Sequence, residues 1–561
     1  MMDEWTLHPL IPDDVDLDIA RITSELERVT KNGVLSEKIL TLQEIYSRCY
    51  EYLELAVCIT WKDKKDPMGK QLAGKAEELM GRYKQIESEV KQECRQLADE
   101  EWSLLADSEE LVSLRPVLST WRLPSPGSYE LEADGLHAWA ELYGMASEQV
   151  KPRWKGKEVP LGEAVRLVYY SNDRPSRIEF FKEWTKEWEK VSHWCAKALN
   201  HISGFRISRG EDPVQSAYET NRITQQSVND MWASVLERKG MFNDFLQHKL
   251  VLQGEKDLHW TDQFAPLPLQ TEFGTIPYEE AKILIGNLIG AFSEDAGRFV
   301  HHAFNHKWVD AAPSRHKVVS AAFCAHFPNA RQTRVMMSYE GDLQSVSVLA
   351  HELGHAYHYH LLEDHPMFLQ DCPQAFTEIA STLFESILIE EAMKSAPPME
   401  KMHLLDQQIS RDIGTILNSY VRHRFEEKLY ENRRMGEVDA RGMNTWMADV
   451  QNHVFGPDMK TLDPTFWASL RHFYITRKPF GHFPYTVAHL LSTGIYHQLK
   501  EAEDKEQRLM AMLKDTASLT VEEFMQKHLS SGCVWEAALD RIQGNIDTFI
   551  ALSSRQLKPN Q

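Results

Sequence analysis

Residues 349–355 read Leu-Ala-His-Glu-Leu-Gly-His, and this stretch determines what the rest of the chain is expected to form. On an α-helix, His351 and His355 lie only ~40° apart around the axis, so both imidazoles project from one face. Both can bind one metal ion, and the carboxylate of Glu352 can reach water bound to that ion. The pattern is typical of a zinc hydrolase, although a chain with 24 histidines can also contain it by chance.

The residues around this motif predict that it lies on a buried helix. Residues 334–339 favour a β-strand, and a Gly-Asp pair follows it, with Asp342 as the helix N-cap. Apolar side chains then recur at helical spacing from Leu343 to Leu353. A core helix with two buried histidines is the alternative, but it gives no reason for a glutamate directly after His351.

A catalytic zinc site needs a third protein ligand and leaves the fourth position for water. Several side chains that follow the motif are candidates: His358, His360, Glu363, Asp364, His365, Glu378 and Glu385. Residues 373–385 predict a second helix, with Pro373 near its start. A hairpin of two helices can bring Glu378 against the histidines, while Glu385 orients one of them through its second ring nitrogen. A solvated helix face is the alternative for either glutamate.

With these residues in place, the chain resembles oligoendopeptidase F, of the thimet-oligopeptidase family of zinc metallopeptidases. The resemblance rests on residues 349–358, on Thr-Glu-Ile-Ala-Ser at 377–381 and on Glu385. Three further stretches are similar to parts of that family, namely a helix-joining segment at 167–177, a loop at 199–204 and a strand region at 315–324.

The resemblance implies specific roles for the motif residues. His351, His355 and Glu378 are expected to bind one Zn²⁺ per chain, and Glu352 is expected to act as general base. The chemistry agrees, because zinc lowers the pKa of bound water toward ~7 and a nearby carboxylate can then take its proton.

Peptide hydrolysis also needs hydrogen-bond donors for the negative charge of the tetrahedral intermediate. The resemblance implies a histidine and tyrosines from residues 471–485, where His472 matches the histidine and Tyr485 the second tyrosine. Gly481 occupies the position of the first tyrosine, and His482 stands in place of an asparagine. Either His482 replaces the missing donor or that hydrogen bond is absent. Aromatic core packing is the alternative for the segment.

The chain as a whole predicts a mostly α-helical, zincin-type metallopeptidase with a small β region beside the metal-binding helix. Residues 318–327 and 334–339 favour a hairpin, which either pairs with an extended peptide or merely supports the helix. Breaks in the helical pattern at 123–128 and 204–213 predict loops. We therefore expect an N-terminal helical domain over residues 1–205 and a catalytic zinc metallopeptidase domain over 206–561.

Composition excludes several classes of partner. The net charge of −21, from 83 acidic and 62 basic residues, disfavours binding to nucleic acid or to anionic membranes. No apolar run is long enough for a membrane span, and the N-terminus lacks the order of a secretory signal. Seven scattered cysteines form neither a zinc-finger spacing nor a disulfide framework, so we expect free thiols and a cytoplasmic location.

These patterns together predict a zinc-dependent endopeptidase that hydrolyses peptide bonds in short oligopeptides with a metal-activated water. The restriction to short peptides is implied by the resemblance alone, and the oligomeric state is not predicted. One alternative is a zinc carboxypeptidase or dipeptidase, in which Arg422, Arg424 or Arg477 anchors the substrate carboxylate. The other is a peptide-binding protein with an inactive metal site, suggested by Gly481.

Overall fold

The computed structural model describes most of the chain, over residues 4–31, 33–122, 136–210, 212–267, 275–313, 322–476, 479–529 and 534–556. These residues are mostly α-helical with small sheets, so the predicted fold class is confirmed. Among them, no helix combines the length and the apolar character that crossing a bilayer requires. The chain divides into two compact units, each made of three segments.

The first unit consists of residues 1–129, 274–391 and 498–529. Two of its helices carry the motif residues, and we call Leu343–Leu362 the histidine helix and Gln374–Ser395 the glutamate helix. The other α-helices of this unit span Val15–Val29, Leu35–Lys62, Pro67–Gln96, Asp99–Ala106, Arg115–Trp121, Tyr278–Phe292, Glu294–Asn305, Met367–Gln370, Lys505–Asp515 and Val521–His528.

A three-stranded sheet packs against the histidine helix. Strands Phe323–Phe327 and Gln332–Met336 form the predicted antiparallel hairpin, and Val309–Asp310 pairs in parallel with the second of them. The second strand begins and ends earlier than residues 334–339, because strand pairing, which the sequence pattern does not contain, sets its limits. The predicted start of the first strand, at 318–321, lies outside the described residues.

The N-terminal helices and the sheet share one hydrophobic core. Buried side chains from the helices between residues 15 and 121 pack together with Ala325, Phe327 and Met336 of the sheet. The first 129 residues thus belong to the same unit as the histidine helix. The division predicted between residues 205 and 206 coincides with no boundary of either unit, and as a division of function it stays a prediction.

Both motif helices begin where their sequences predict. The histidine helix starts at Leu343 because the side chain of Asp342 accepts a hydrogen bond from the backbone N–H of Ser345, at 2.8 Å. The glutamate helix starts at Gln374, directly after Pro373. Short-range sequence signals therefore fix the residue at which each helix begins.

The two motif helices approach each other closely at Gly354. A Cβ atom on this glycine would lie 2.7 Å from the carbonyl oxygen of Ala380 and 2.7 Å from the Cα of Ser381. Such distances are shorter than van der Waals contact, so only glycine permits this separation. The glycine inside the histidine motif thus sets the distance between the two helices.

The second unit consists of residues 130–273, 392–497 and 530–561. Short strand pairs join Arg153–Trp154 to Lys157–Glu158 in antiparallel and Leu258–His259 to Met459–Thr461 in parallel. A π-helical turn, Ile413–Leu417, connects two of its helices. Its α-helices span Ala138–Glu148, Leu161–Tyr169, Arg174–Ser208, Pro213–Thr220, Gln225–Leu252, Pro398–Asp412, Asn418–Arg433, Ala440–Phe455, Phe466–Ser469, Phe483–Leu499 and Val534–Gln556.

One expected loop of this unit is wrong. Residues 199–204 lie inside the helix Arg174–Ser208 rather than in a loop. Gly204 leaves room for the guanidinium of Arg433, whose Nε donates a hydrogen bond to the carbonyl oxygen of Asn200 at 2.9 Å. The glycine therefore serves helix packing, and the chain turns only at Gly210, which has a φ of +72°. The loop predicted at 123–128 lies outside the described residues.

The predicted helix joint at 167–177 is confirmed, and a buried ion-pair network holds it. The carboxylate of Asp262 accepts hydrogen bonds from Nη2 of Arg174 at 2.8 Å and from Nη2 of Arg177 at 2.7 Å. Both arginines begin the helix Arg174–Ser208, which follows Leu161–Tyr169. The network ties the start of this helix to the segment after Leu258–His259.

The six cysteines that the structure describes are free thiols, as predicted. Four of them, Cys49, Cys58, Cys94 and Cys195, are buried, and burial raises the pKa of the Cys49 and Cys195 thiols to about 12. They behave as small apolar core residues. Cys533 lies outside the described residues.

We predict that Asp262→Asn destabilises the fold by about 3 kcal/mol at neutral pH, because it leaves the buried guanidinium of Arg177 without its carboxylate, whereas Arg174 keeps Glu255 at 3.1 Å. Burial alone would raise the pKa of Asp262, but hydrogen bonds from Arg174 and the His259 backbone outweigh it and lower that pKa below 3.8. This contribution to stability is therefore present above pH 3.8 and is lost as the pH falls through the lower folded-state pKa.

Urea unfolding followed by tryptophan fluorescence measures the effect, with the exposed Asp244→Asn in the same unit as control. The difference in the free energy of unfolding between wild type and Asp262→Asn should be constant near neutral pH and should become smaller in acid. Equal free energies of unfolding for the two proteins at neutral pH would contradict a structural role of the network.

We predict that Gly354→Ala lowers the free energy of unfolding by about 1–3 kcal/mol, because the new methyl group forces the two motif helices apart. Gly74→Ala is the matched control, since Gly74 lies in the helix Pro67–Gln96 and a Cβ added there would meet no atom within 4 Å. That control should be neutral or stabilising by up to ~1 kcal/mol, from helix propensity alone. Thermal unfolding measures the stability of both variants. Equal stability of Gly354→Ala and Gly74→Ala would contradict the close approach of the two helices.

Candidate metal centre

The structure brings His351, His355 and Glu378 together in the first unit. One ligand atom from each of the three side chains lies within 4.8 Å of those of the other two. Oε2 of Glu378 is 3.4 Å from Nε2 of His351 and 3.5 Å from Nε2 of His355. Among the described residues this is the one group of three His, Cys, Asp or Glu side chains with such spacing.

These distances fit a tetrahedral zinc ion. With zinc bonds of ~2.0–2.1 Å to nitrogen and oxygen, two corners of the tetrahedron lie ~3.3–3.4 Å apart. The observed separations of 3.4 and 3.5 Å are close to that value. Two imidazoles and one carboxylate are also the donor set of a catalytic site that keeps a fourth position open.

A second carboxylate orients the first histidine. Nδ1 of His351 donates a hydrogen bond to Oε1 of Glu385 at 2.7 Å, which leaves Nε2 directed at Glu378. The other oxygen of Glu385 accepts a hydrogen bond from Oγ of Ser347 at 2.9 Å. Glu385 therefore lies where the sequence predicts it, with both oxygens engaged, and it sets the tautomer of His351.

Two serines were missed by sequence reasoning. Ser347 lies one helical turn before His351, and Ser381 lies one turn after Glu378, so helical spacing was the available signal. Oγ of Ser381 donates a hydrogen bond to Oε2 of Glu378 at 3.0 Å. Each serine fixes a carboxylate, but a serine on a helix is too common for its spacing alone to identify it.

The electrostatics of His355 and Glu378 favour the protonation states of metal ligands, whereas hydrogen bonds to Glu378 and Glu385 raise the pKa of His351 well above its ordinary value despite burial. Burial lowers the pKa of His355 to about 4, so its imidazole is neutral. Burial would raise the pKa of Glu378, but the facing histidines hold it well below its ordinary value. Neutral imidazole and ionised carboxylate are the forms that donate electron pairs to a metal.

Glu352 stands out because it is buried without a partner. Its side chain is 6% exposed, and its carboxylate forms no hydrogen bond with any residue that the structure describes. Burial raises the pKa of this carboxyl group to about 7, with a further contribution from Glu378. A carboxylate with that pKa can both accept and release a proton near neutrality.

Four of the other candidate third ligands have side-chain partners of their own. Nε2 of His358 lies 2.8 Å from the hydroxyl of Thr516, and His360 lies in ion-pair range of Glu363, at 3.4 Å. Asp364 pairs with Arg331 at 3.2 Å. The tertiary packing thus brings Glu378, the residue that the resemblance implies, next to the two histidines.

The residues expected to stabilise negative charge lie in the second unit. The ring centroids of His472 and His482 are 4.9 Å apart, and His482 is buried while His472 is exposed. Tyr485 lies in the first turn of the helix Phe483–Leu499 and is partly exposed. The structure brings the two histidines together, and Tyr485 follows His482 by one turn.

A positive backbone angle precedes this helix. Phe480 has a φ of +54°, and its N–H donates a hydrogen bond to Oε1 of Glu426 at 3.0 Å. The hydrogen bond holds a left-handed residue directly before Gly481, where the resemblance expects a tyrosine. The left-handed residue Phe480 thus lies next to Gly481, the position at which the sequence departs from the expected tyrosine.

Comparison with protein families matches residues 294–535 to the model of Peptidase family M3. Oligoendopeptidase F (chromosomal) of Lactococcus lactis subsp. cremoris is 23% identical over 333 residues, covering 56% of this chain and 54% of the relative. An oligoendopeptidase F homologue of Borreliella burgdorferi is 22% identical over 357 residues, covering 61% and 59%. The matches thus span a little over half the length of these curated relatives.

Solved structures share the fold over nearly the whole chain. Oligoendopeptidase-F from Enterococcus faecium superposes with a TM-score of 0.65 at 17% identity, covering 96% of this chain and 99% of that one. PZ peptidase A, solved with an inhibitor, has a TM-score of 0.74 at 13% identity and covers 98% of both chains. Residues 294–535 thus match Peptidase family M3, and the chain is similar to oligoendopeptidase F in sequence and in fold.

Proposed function

We propose that this protein is a zinc-dependent endopeptidase that hydrolyses short oligopeptides. One observation carries the proposal: two imidazole nitrogens and a carboxylate oxygen lie at tetrahedral spacing, and the unpaired carboxylate of Glu352 belongs to the same helix as both histidines. The match to Peptidase family M3 supports a peptidase. The proposal includes zinc as the metal, short peptides as the preferred substrates and the cytoplasm as the location.

In this proposal His351, His355 and Glu378 hold one zinc ion. When bound, zinc polarises the scissile carbonyl and lowers the pKa of water. Glu385 holds the ring of His351 in place through Nδ1, and Ser381 holds the carboxylate of Glu378. Because these partners are buried and hydrogen-bonded, the ligands need little rearrangement on binding.

Glu352 is the proposed general base. It takes a proton from the attacking water and delivers it to the amine that leaves when the peptide bond breaks. Its burial makes the carboxylate more basic than an exposed glutamate, with a pKa of about 7. Its position directly after His351 keeps it on the helix that carries both histidine ligands.

Tyr485 is the proposed donor to the negative charge that develops on the carbonyl oxygen, as the resemblance implies. The residue lies at the start of the helix Phe483–Leu499 and is partly exposed. His472 and His482 are further candidates for this role. His482 differs from the other two in that its Nδ1 faces the guanidinium of Arg422.

We predict that Glu352→Gln lowers kcat by about 10²-fold or more while the protein keeps one zinc per chain, because the amide cannot accept the proton. Peptide cleavage is followed by mass spectrometry on a mixed peptide library, with and without chelator, and zinc by elemental analysis. Glu363→Gln, at the end of the same helix, is the matched control and should leave turnover unchanged.

Including end-blocked peptides in that library separates an endopeptidase from a carboxypeptidase or dipeptidase, since only the endopeptidase cleaves them. A wild-type protein that holds stoichiometric zinc but cleaves no peptide would contradict the proposed hydrolase. A Glu352→Gln variant that loses its zinc would place that residue among the ligands instead.

We predict that Tyr485→Phe lowers kcat by about 10²-fold with little change in KM, since the lost hydrogen bond acts on the transition state rather than on substrate binding. Tyr496→Phe, in the same helix, is the control for removing a phenol oxygen from a buried site. Steady-state kinetics on a cleaved library peptide gives both constants. An equal effect of the two substitutions would indicate a structural role for Tyr485.

A further inference from the structure

Arg422 is a largely enclosed cation without a carboxylate partner. It lies in the helix Asn418–Arg433 of the second unit, and no Asp or Glu among the described residues forms an ion pair with it. Burial lowers its pKa to about 10, partly offset by the phenols of Tyr169 and Tyr485, so it remains protonated near neutral pH. The Nε atom of this side chain is buried without a hydrogen-bond partner in the described part of the chain.

Other arginines of the same unit are compensated. Arg174 and Arg177 share the carboxylate of Asp262, and Arg424, two residues from Arg422 on the same helix, pairs with Glu427. Taking a guanidinium out of water is costly unless an anion compensates it. Unlike these three, Arg422 has neither a carboxylate nor a carbonyl acceptor among the described residues, and an anionic ligand would supply one.

The guanidinium of Arg422 lies over the ring of Phe466. The central carbon of the Arg422 guanidinium lies 5.2 Å from the centroid of that ring. Stacking on an aromatic face leaves the N–H groups at the edge of the guanidinium plane for hydrogen bonding. Such an edge matches the two oxygens of a carboxylate.

His482 contacts the guanidinium through one ring nitrogen and keeps one N–H donor on the other. Nδ1 of His482 lies 3.5 Å from Nη1 of Arg422, and since the guanidinium can only donate, Nδ1 accepts. The single proton of the neutral imidazole is then on Nε2, which is buried and has no partner among the described residues. Arg422 and His482 therefore present only N–H donors.

We infer that Arg422, together with His482, binds a carboxylate group of the peptide substrate and so determines specificity. The inference rests on the proposed function in that the ligand is a peptide. The carboxylate comes either from the peptide C-terminus or from an acidic side chain, since both offer the same two oxygens. Of the three arginines that the sequence left open, Arg424 is already paired, and Arg477 lies outside the described residues. His482 is thereby assigned to substrate binding rather than to the developing oxyanion.

Peptide retention on the full-length Glu352→Gln protein tests the inference without cleavage. Three synthetic peptide pools are used: one without Asp or Glu and with free C-termini, the same pool amidated, and an amidated pool with a single Glu per peptide. Mass spectrometry measures the amount of each pool that an immobilised protein retains. At least one carboxylate-bearing pool should be retained roughly tenfold or more over the amidated pool, the scale of one charge-assisted hydrogen-bonded pair. The pool that is favoured identifies the source of the carboxylate.

Adding Arg422→Met to Glu352→Gln should reduce the ratio of the favoured carboxylate pool to the amidated pool toward one. Arg424→Met, the matched control, should leave that ratio unchanged. A preference that survives Arg422→Met with an unchanged melting temperature overturns the inference, and so does equal retention of all three pools by Glu352→Gln. Retention of no pool at all would instead contradict peptide binding, and with it the proposed function. The two failures are therefore distinguishable.

A measurement without substitution at Arg422 covers the case in which Arg422→Met does not fold. Phenylglyoxal modifies accessible arginines, and peptide mapping gives the rate at Arg422 in the Glu352→Gln protein. The favoured carboxylate pool should slow that rate severalfold, whereas the amidated pool should not. Equal rates with both pools would overturn the inference.

Discussion

The close approach of the histidine helix and the glutamate helix at Gly354 is the constraint on which the metal centre depends. With no Cβ on this residue, the backbone of one helix contacts Ala380 and Ser381 of the other. Glu378 thereby comes within 3.5 Å of both histidine nitrogens, close to the ligand separation of a tetrahedral zinc ion. A larger side chain would separate the helices and lengthen these distances. The glycine within the motif thus matters to the geometry as much as the histidines beside it.

Several buried charges in this protein have a partner of opposite charge or, like Arg334, donate hydrogen bonds to carbonyl oxygens. Glu385 uses both oxygens, on His351 and Ser347, and Asp262 receives two arginines. Lys249 and Asp406 form a further buried pair at 2.6 Å. Glu352 and Arg422, in contrast, have no such partner among the described residues. Because an uncompensated buried charge opposes folding, a fold that keeps one is expected to use it.

Sequence reasoning succeeded where the signal is local. The N-cap at Asp342, the start of the second helix after Pro373 and the hairpin before the motif follow from capping and turn chemistry within a few residues. It failed at 199–204, where a glycine that predicts a loop instead makes room for the side chain of Arg433. No local pattern indicates that helices between residues 15 and 121 share a core with strands Phe323–Phe327 and Gln332–Met336, which lie far along the chain.

By itself, the sequence determined the helical class, the two histidines on one helix face and the glutamate between them, because helical periodicity fixes which side chains share a face. It favoured Glu378 among seven candidates for the third member of the group, and it left open which arginine is free to bind a carboxylate. Only the tertiary structure gives the distances on which these points depend. It sets Glu378 rather than His358 against the histidines, and it pairs Arg424 while leaving Arg422 without a carboxylate. Such choices depend on distances between segments remote in sequence, and those distances are set by packing, which no local pattern contains.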